Sequence, residues 1–222
     1  SLSVQDLEVN NGSLSYIGNQ GWLFTPNPNY KGKVDLTYLV VDNKGNYANG
    51  SNSFNLDPVN DAPLLTGQQI TLNDGVEDTG YIIKASDLLL GFSDIDNDNL
   101  SIQNLRSENG TFINNKNNTW TFTPNTNYYG IVDFEYDVTD GSINSLATNS
   151  FKLAPINDAP KLTGSKAVLS LGLEDIPYEI KESDLLKGFT DEEGDTLSIQ
   201  NLRSENGTFI NNKNNTWTFT PN

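Results

Sequence analysis

The chain has 222 residues and carries 29 Asp and Glu against 13 Lys and Arg, a formal net charge of −16. Such a polyanion repels nucleic acid and anionic lipid, so we expect no nucleic-acid partner, and its natural small partners are cations. The sequence contains no Cys, His or Met, which excludes disulfides, thiolate chemistry and imidazole ligands. No apolar run approaches the roughly 18 residues of a membrane-spanning helix, so direct membrane insertion is not expected.

The chain is built from a repeat of about 97 residues. Residues 100–125 and 197–222 both read LSIQNLRSENGTFINNKNNTWTFTPN, and the residues before each copy also match at an offset of 97. Such self-similarity at a fixed period is the signature of a tandem array. Because the chain begins at Ser1 and stops within this pattern, we expect it to be a piece of a longer protein. The predicted division is 1–60 for the C-terminal part of one repeat, 61–157 for a complete repeat, and 158–222 for the N-terminal part of a third.

Along the chain, the predicted elements are short strands. Apolar residues alternate with polar ones at Leu36, Tyr38 and Val40, and the same period of two recurs at Trp120 and Phe122. It recurs again in the segment 134–138, and Asn-Gly, Asp-Gly and Pro-Asn pairs punctuate the strands as turns. One short helix, of one or two turns at most, is predicted where Ser86 precedes an apolar run that ends at a glycine.

About seven strands in each repeat predict an all-β fold of tandem β-sandwich repeats of immunoglobulin-like size. Tyr136 stands two residues before the core position Val138, where such folds carry a tyrosine corner. Trp22, Trp120 and Trp217 share one position of the repeat. We expect them to be core aromatics, and the alternative is a sugar-stacking platform.

Acidic residues recur in three clusters at the ends of the predicted strands. Carboxylates at positions i, i+2 and i+4 of an irregular loop can curl around one point, and Ca²⁺ takes six to eight oxygen ligands at about 2.3–2.6 Å. The sequence therefore predicts calcium sites, and the alternative is an acidic loop that is merely solvated. The candidate ligands are Asp94, Asp96, Asp98, Asp191, Glu193 and Asp195 in one cluster type, Glu77 and Asp78 in the second, Asn60, Asp61, Asn157 and Asp158 in the linkers, and Asp140 at a strand end.

Two other interpretations of these carboxylates are disfavoured. An EF-hand loop starting at Asp94 would need a bidentate Glu at its twelfth position, which is Leu105. A glycoside hydrolase also uses paired carboxylates. These pairs, however, return in each repeat beside the linkers, whereas an enzyme needs one active site. We therefore expect a protein that is not an enzyme.

The linker Val59-Asn60-Asp61-Ala62-Pro63 resembles the linker of cadherins. The order Asn-Asp-Ala-Pro, Glu-Asp, Ser-Asp-Leu-Leu, Asp-x-Asp-x-Asp and Asp-Gly over the whole chain is similar to that of the bacterial cadherin-like repeats in large secreted adhesins of the RTX or type I kind. Two departures stand out: Asp57 is answered by Ala154 in the next repeat, and the Asn that follows the linker Asp in cadherins is missing.

The resemblance implies how the ligands are shared between junctions. It places Asn60 and Asp61 with Asp94, Asp96, Asp98 and Asp140 at the first junction. It places Glu77 and Asp78 with Asn157, Asp158, Asp191, Glu193 and Asp195 at the second. It further implies extracellular, cell-surface repeats that Ca²⁺ stiffens into an extender, with neighbouring repeats as partners and a glycan or protein as the target of the parent adhesin. A carbohydrate- or protein-binding module is the alternative function.

Overall fold

The computed structural model describes the backbone of residues 1–222 and all side chains apart from that of Gln20. Strands make up 48% of the chain and helices 5%, which confirms the all-β prediction. Contacts divide the chain into two compact units. The first holds Ser1–Ile70, Ala85–Leu105 and Glu135–Ala147, and the second holds Thr71–Lys84, Arg106–Phe134 and Thr148–Asn222.

Residues 1–60, the predicted C-terminal part of a first repeat, fold into two small antiparallel sheets. The elements are β1 (Ser3–Val9), β2 (Gly12–Tyr16), a 3-10 turn (Gly18–Gln20), β3 (Trp22–Pro26), β4 (Gly32–Val41) and β5 (Tyr47–Leu56). One sheet has the order β1-β4-β5 and the other pairs β2 with β3. Strands β4 and β5 pair over ten residues each, from Gly32 opposite Leu56 to Val41 opposite Tyr47.

Residues 61–157, the predicted complete repeat, contain the four-stranded sheet of the chain. The elements are β6 (Leu64–Leu65), β7 (Gly75–Val76), β8 (Tyr81–Lys84), α1 (Ala85–Leu88), β9 (Phe92–Ser93), β10 (Ser101–Arg106), β11 (Gly110–Asn114), β12 (Thr119–Pro124), β13 (Gly130–Thr139) and β14 (Asn144–Ala154). The sheet orders are β10-β13-β14-β7, β11-β12-β8 and β6-β9. The short predicted helix is α1, and it ends just before the acidic loop that follows β9.

Residues 158–222, the predicted start of a third repeat, form strands that correspond to β6, β8, β9, β11 and β12 and a helix that corresponds to α1, but none that corresponds to β7 or β10 among the described residues. The elements are β15 (Lys161–Leu162), β16 (Tyr178–Lys181), α2 (Glu182–Leu186), β17 (Phe189–Thr190), β18 (Gly207–Asn211) and β19 (Thr216–Pro221). The sheets are β16-β19-β18 and β15-β17. No helix in the described part of the chain has the length and apolar character that crossing a membrane requires.

The core of the second unit is a cluster of aromatic rings. Phe122 contacts Phe112 at 4.9 Å and Phe151 at 5.4 Å between ring centroids, and Tyr81 stacks on Phe151 at 4.2 Å. The alternation predicted for β12 is present, because Trp120 and Phe122 are buried between less buried threonines. This packing holds the strands whose ends carry the acidic residues.

Two expectations about single aromatic residues need correction. Trp120 is a core residue with 6% of its surface exposed, but Trp22 in the first repeat is 42% exposed. The reason is pairing: β8 covers one side of β12, whereas β3 pairs only with β2 in the described chain. The predicted tyrosine corner is replaced by bonds to residues distant in sequence, since the Tyr136 hydroxyl donates to the carbonyl of Leu88 at 3.2 Å and accepts from Gln69 Nε2 at 2.9 Å.

Candidate metal centre

The acidic loop after β9 is wound around the side chain of Asp94. Its Oδ1 accepts the backbone N–H of Asp96 at 2.8 Å and that of Asp98 at 3.3 Å. Asn97 takes a left-handed conformation with φ 63°, which asparagine tolerates better than most residues. The other oxygen, Asp94 Oδ2, is buried and has no hydrogen-bond partner within the described chain. Because an unpaired buried oxygen is costly, this atom is a natural ligand for a cation.

Three carboxylates converge at this loop. One oxygen each from Asp94, Asp98 and Asp140 lies within 4.8 Å of the others. Oxygens bound to one calcium ion at about 2.4 Å can be no more than about 5 Å apart, so the group has the right dimensions. Asp140 is fixed at the end of β13 because its Oδ1 accepts the N–H groups of Ile143 at 2.7 Å and Ser142 at 2.6 Å. These bonds and one from Asn60 lower the pKa of Asp140 and keep it charged.

The first linker is bonded directly to these acidic residues. Asn60 donates its side-chain amide to Asp140 Oδ2 at 2.8 Å. The backbone N–H of Asp61 donates to Asp96 Oδ2 at 3.0 Å. The linker therefore reaches both the acidic loop and the end of β13, which are 35 and 80 residues further along the chain.

Lys31 is part of this site, and the sequence analysis missed it. Its ammonium lies 2.9 Å from Asp96 Oδ1, with half of the Lys31 side chain exposed and 15% of the Asp96 side chain exposed. The N–H of Asp61 and the ammonium of Lys31 lower the pKa of Asp96, and Asp96 in turn raises the pKa of Lys31. The sequence does distinguish this residue, because Lys31 is charged whereas Tyr129 occupies the same position in the next repeat.

Glu77, which follows β7 directly, is hydrogen-bonded to the second linker. Its side chain is fully buried, and Oε1 accepts the N–H of Ile156 at 2.6 Å. Its own N–H donates to Ala154 at 3.0 Å. The other oxygen, Oε2, is buried without a hydrogen-bond partner in the described chain. Asp78 turns away with φ 53° and is exposed, and it accepts the N–H of Asn127 at 2.9 Å.

The second acidic loop repeats part of the first arrangement. The N–H of Asp158 donates to Glu193 Oε2 at 2.9 Å, and Asp195 N–H donates to Asp191 Oδ1 at 3.0 Å. Glu193 Oε1 is buried without a hydrogen-bond partner in the described chain. Beside the loop lies an open cavity of ≈ 380 Å³ whose lining includes Asn157, Asp158, Asp191 and Asp195.

The structure thus brings together some of the candidate ligands and separates others. All six of the first junction join one network of hydrogen bonds and close carboxylates: Asn60, Asp61, Asp94, Asp96, Asp98 and Asp140. At the second junction Glu77 reaches the linker at Ile156, while Asp78 binds a different loop. Among the described residues the second loop forms no three-carboxylate group like the first.

The fit of these residues to a divalent cation can be judged from their chemistry. The donor set consists of oxygens and contains no Cys or His, which is the set that calcium and magnesium prefer. Three buried carboxylate oxygens in the described chain have no hydrogen-bond partner, and all belong to these clusters: Glu77 Oε2, Asp94 Oδ2 and Glu193 Oε1. A hard cation would satisfy these atoms, so the residues fit such an ion.

Comparison with known proteins gives one family. The family model described as "Cadherin-like domain" matches residues 1–57, 59–154 and 156–222. No curated protein matches the chain.

Solved structures resemble the chain only weakly. Protocadherin gamma B2 extracellular cadherin domains 1–5 are 12% identical with a TM-score of 0.38, over 100% of this chain and 45% of that one. The endo-fucoidan hydrolase MfFcnA4 from glycoside hydrolase family 107 is 17% identical with a TM-score of 0.36, over 100% of this chain and 34% of that one. The zebrafish RET cadherin-like domains 1 to 4 are 12% identical with a TM-score of 0.24, over 100% and 58%. This chain spans 34% or less of the three hydrolase structures that it matches. None of these likenesses carries an argument about function.

Proposed function

Since the chain belongs to the cadherin-like domain family over residues 1–57, 59–154 and 156–222, we propose that its repeats bind calcium at their junctions and act as stiff extenders. The observation that carries the proposal is the group of oxygens from Asp94, Asp98 and Asp140 within 4.8 Å of one another. Three negative charges at this distance repel each other, so a cation there stabilises the folded junction. The setting we propose is a bacterial cell-surface adhesin, outside the cell.

The residues assigned to the ion are those of the two linkers and loops. The first junction would use Asn60, Asp61, Asp94, Asp96, Asp98 and Asp140, and the second Glu77, Asn157, Asp158, Asp191, Glu193 and Asp195. Asp78, which we also expected at the second junction, is left out because it accepts the N–H of Asn127 in another loop. When bound, calcium supplies two positive charges and a common point of attachment for groups far apart in sequence. The chain's own contribution is positioning, because the Asp61 N–H holds Asp96 against the linker and Asn60 holds Asp140. No residue is assigned a catalytic role.

The expected affinity follows from the kind of module. Extracellular calcium modules bind with dissociation constants on the order of 10⁻⁴–10⁻³ M, which suits extracellular calcium and excludes binding at cytosolic levels. At a hundredfold excess of calcium over that constant, each site adds about 2.7 kcal/mol of stability. That is a large share of the roughly 5–15 kcal/mol that holds an ordinary domain together. Without calcium, repulsion between the carboxylates would lower the stability of the junctions.

The test is calorimetric titration of the full chain with calcium chloride, together with thermal melting and small-angle scattering in calcium and in chelator. We expect heat of binding, a higher melting temperature and a more extended shape in calcium. The triple variant Asp94→Asn, Asp98→Asn and Asp140→Asn should lose the first site. The matched control Glu108→Gln, Asp133→Asn and Glu179→Gln removes the same charge from exposed positions away from the linkers.

Two results would contradict the proposal. One is a calcium response that is equal in the loop variant and in the surface control, because then bulk charge and not a site is responsible. The other is a chain whose melting temperature and scattering are the same in calcium and in chelator. In that case the acidic loops are solvated surface.

A further inference from the structure

The two linkers share one hydrogen bond and differ in what surrounds it. In the first, Asp61 N–H donates to Asp96 Oδ2 at 3.0 Å, and in the second Asp158 N–H donates to Glu193 Oε2 at 2.9 Å. The other oxygen of Asp96, Oδ1, accepts a hydrogen bond from the ammonium of Lys31 at 2.9 Å. The remaining oxygen of Glu193 is buried and has no hydrogen-bond partner in the described chain. At the first linker this second carboxylate oxygen therefore binds the ammonium of Lys31, whereas at the second linker the corresponding oxygen of Glu193 has no such partner in the described chain.

The sequence of the repeat shows that this lysine is a local substitution. Thr25-Pro26-Asn27-Pro28-Asn29-Tyr30-Lys31-Gly32 aligns with Thr123-Pro124-Asn125-Thr126-Asn127-Tyr128-Tyr129-Gly130. The tyrosine before each variable position holds the turn in the same way, because Tyr30 donates to Lys33 at 2.6 Å and Tyr128 donates to Ile131 at 2.5 Å. The turn is conserved between the repeats while the charge is present in the first alone.

The charge of Lys31 acts on the candidate site beyond Asp96. Asp98 and Asp61 also interact with it electrostatically and help to raise its pKa. It lines an open cavity of ≈ 450 Å³ together with Asp57, Asp61 and Asp96. A divalent cation that approaches Asp96 must therefore displace or repel this ammonium. The same ammonium neutralises part of the acidic cluster when no ion is bound.

We propose that Lys31 is a built-in counter-ion that makes the first linker less dependent on calcium than the second. This inference rests on the proposed function, since it concerns the regulation of the same sites. In the absence of calcium, Lys31 holds Asp96 in place for its bond to Asp61, so the first linker stays ordered. The second linker, with Tyr129 at the corresponding position, depends on an external cation. A chain built this way has one junction that stays stiff at low calcium and one that responds to calcium.

The expected effect of removing the lysine charge is moderate, because the Lys31 side chain is half exposed. Exposed pairs contribute little to stability, and one unit charge near a divalent ion in water acts weakly. We expect Lys31→Tyr, which installs the residue of the second repeat, to raise the calcium affinity of the first junction by about two- to tenfold. Lys31→Arg keeps the charge and should leave that affinity unchanged.

The experiment measures each linker separately and does not depend on calcium binding alone. Calcium titration is done on the full chain in a background with Asp191→Asn, Glu193→Gln and Asp195→Asn, so that only the first junction responds. In parallel, hydrogen exchange of the Asp61 and Asp158 amides is followed in chelator for the original chain, Lys31→Tyr and Lys31→Arg. We expect Lys31→Tyr to speed the exchange of Asp61 several-fold and to leave Asp158 unchanged.

The outcomes distinguish this inference from the proposed function. If calcium binds but Lys31→Tyr changes neither the affinity nor the exchange of Asp61, the inference is wrong and the calcium sites stand. If Lys31→Arg has the same effect as Lys31→Tyr, the charge is not the cause and the inference is also wrong. If neither the original chain nor any of the variants binds calcium, the proposed function fails, and the inference fails with it.

Discussion

The carboxylate of Glu77 accepts the backbone N–H of Ile156 at 2.6 Å, across 79 residues of sequence, while its second oxygen is buried without a hydrogen-bond partner in the described chain. One fully buried side chain thus ties the β7 region to the second linker and holds an unsatisfied oxygen beside it. The first bond supports the fold without any ion. The unsatisfied atom lowers stability unless a cation meets it.

We predict that Glu77→Ala lowers the free energy of unfolding in chelator by about 1–3 kcal/mol, because the Ile156 N–H loses its buried acceptor. Urea unfolding of the full chain measures this. Glu174→Ala is the matched control, since Glu174 occupies the same repeat position in the third repeat and is exposed. Equal losses in the two variants would show that the Ile156 bond contributes nothing.

The hydroxyl of Tyr136 joins α1 to β13 by bonding Leu88 and Gln69. Tyr136→Phe should lower the free energy of unfolding by about 1–2 kcal/mol, because it removes a bridging group within the core. Tyr128→Phe removes a hydroxyl whose bond to Ile131 lies at an exposed turn. It should cost no more than about 0.5 kcal/mol. A larger loss in Tyr128→Phe would contradict this assignment.

Tyr136 also predicts a response to alkaline pH. Burial raises the pKa of Tyr136 above its ordinary value, and the bond from Gln69 opposes this only in part. The phenol therefore contributes stability that is complete below about pH 10, where the unfolded tyrosine ionises, and is lost as pH rises through the folded pKa. Denaturant unfolding between pH 9 and pH 11 should show a steeper loss for the original chain than for Tyr136→Phe. Parallel curves would contradict the prediction.

Gly91 positions the strand that leads into the first acidic loop. Its carbonyl accepts the N–H groups of Thr66 and Gly67, its φ is +89°, and a Cβ would lie 2.8 Å from the Gln68 carbonyl oxygen. Gly91→Ala should therefore cost more than the roughly 1–2 kcal/mol of left-handed strain alone. Gly141→Ala is the control, because Gly141 has φ +99° but open space around it. The difference in free energy of unfolding between the variants measures the clash, and a difference of zero would contradict it.

Local sequence pattern was enough to predict the strands and the candidate ligands of the first loop. The alternation at Trp120 and Phe122 places them on one face whatever lies opposite, because successive side chains of a strand point to opposite sides. The clustering of Asp94, Asp96 and Asp98 follows similarly from the bonds that a short polar loop makes to its own backbone.

Partners distant in sequence could not be read from the pattern. Glu77 and Asp78 are neighbours, yet one is fully buried against Ile156 and the other is exposed and bonded to Asn127. The left-handed φ of Asp78 separates them. Lys31 was missed for the same reason, because its partner Asp96 is 65 residues away and the contrast with Tyr129 at the same repeat position does not by itself identify that partner.

The two identical stretches, 100–125 and 197–222, separate what local sequence determines from what distant contacts determine. Phe122 and Phe219 lie in identical stretches of 26 residues and in corresponding strands, whereas Ser101–Arg106 is a strand and its verbatim copy at 198–203 is not. Phe122 is completely buried under Phe151 of β14, whereas Phe219 remains partly exposed in the described chain. Sequence by itself determined the repeat, the acidic loops and hairpin strands such as Thr119–Pro124 and Thr216–Pro221, but not a strand such as Ser101–Arg106 that pairs with a distant one. Tertiary structure decided which of these residues are buried and which carboxylate already has a cation, because burial and charge pairing depend on strands that pack from elsewhere in the chain.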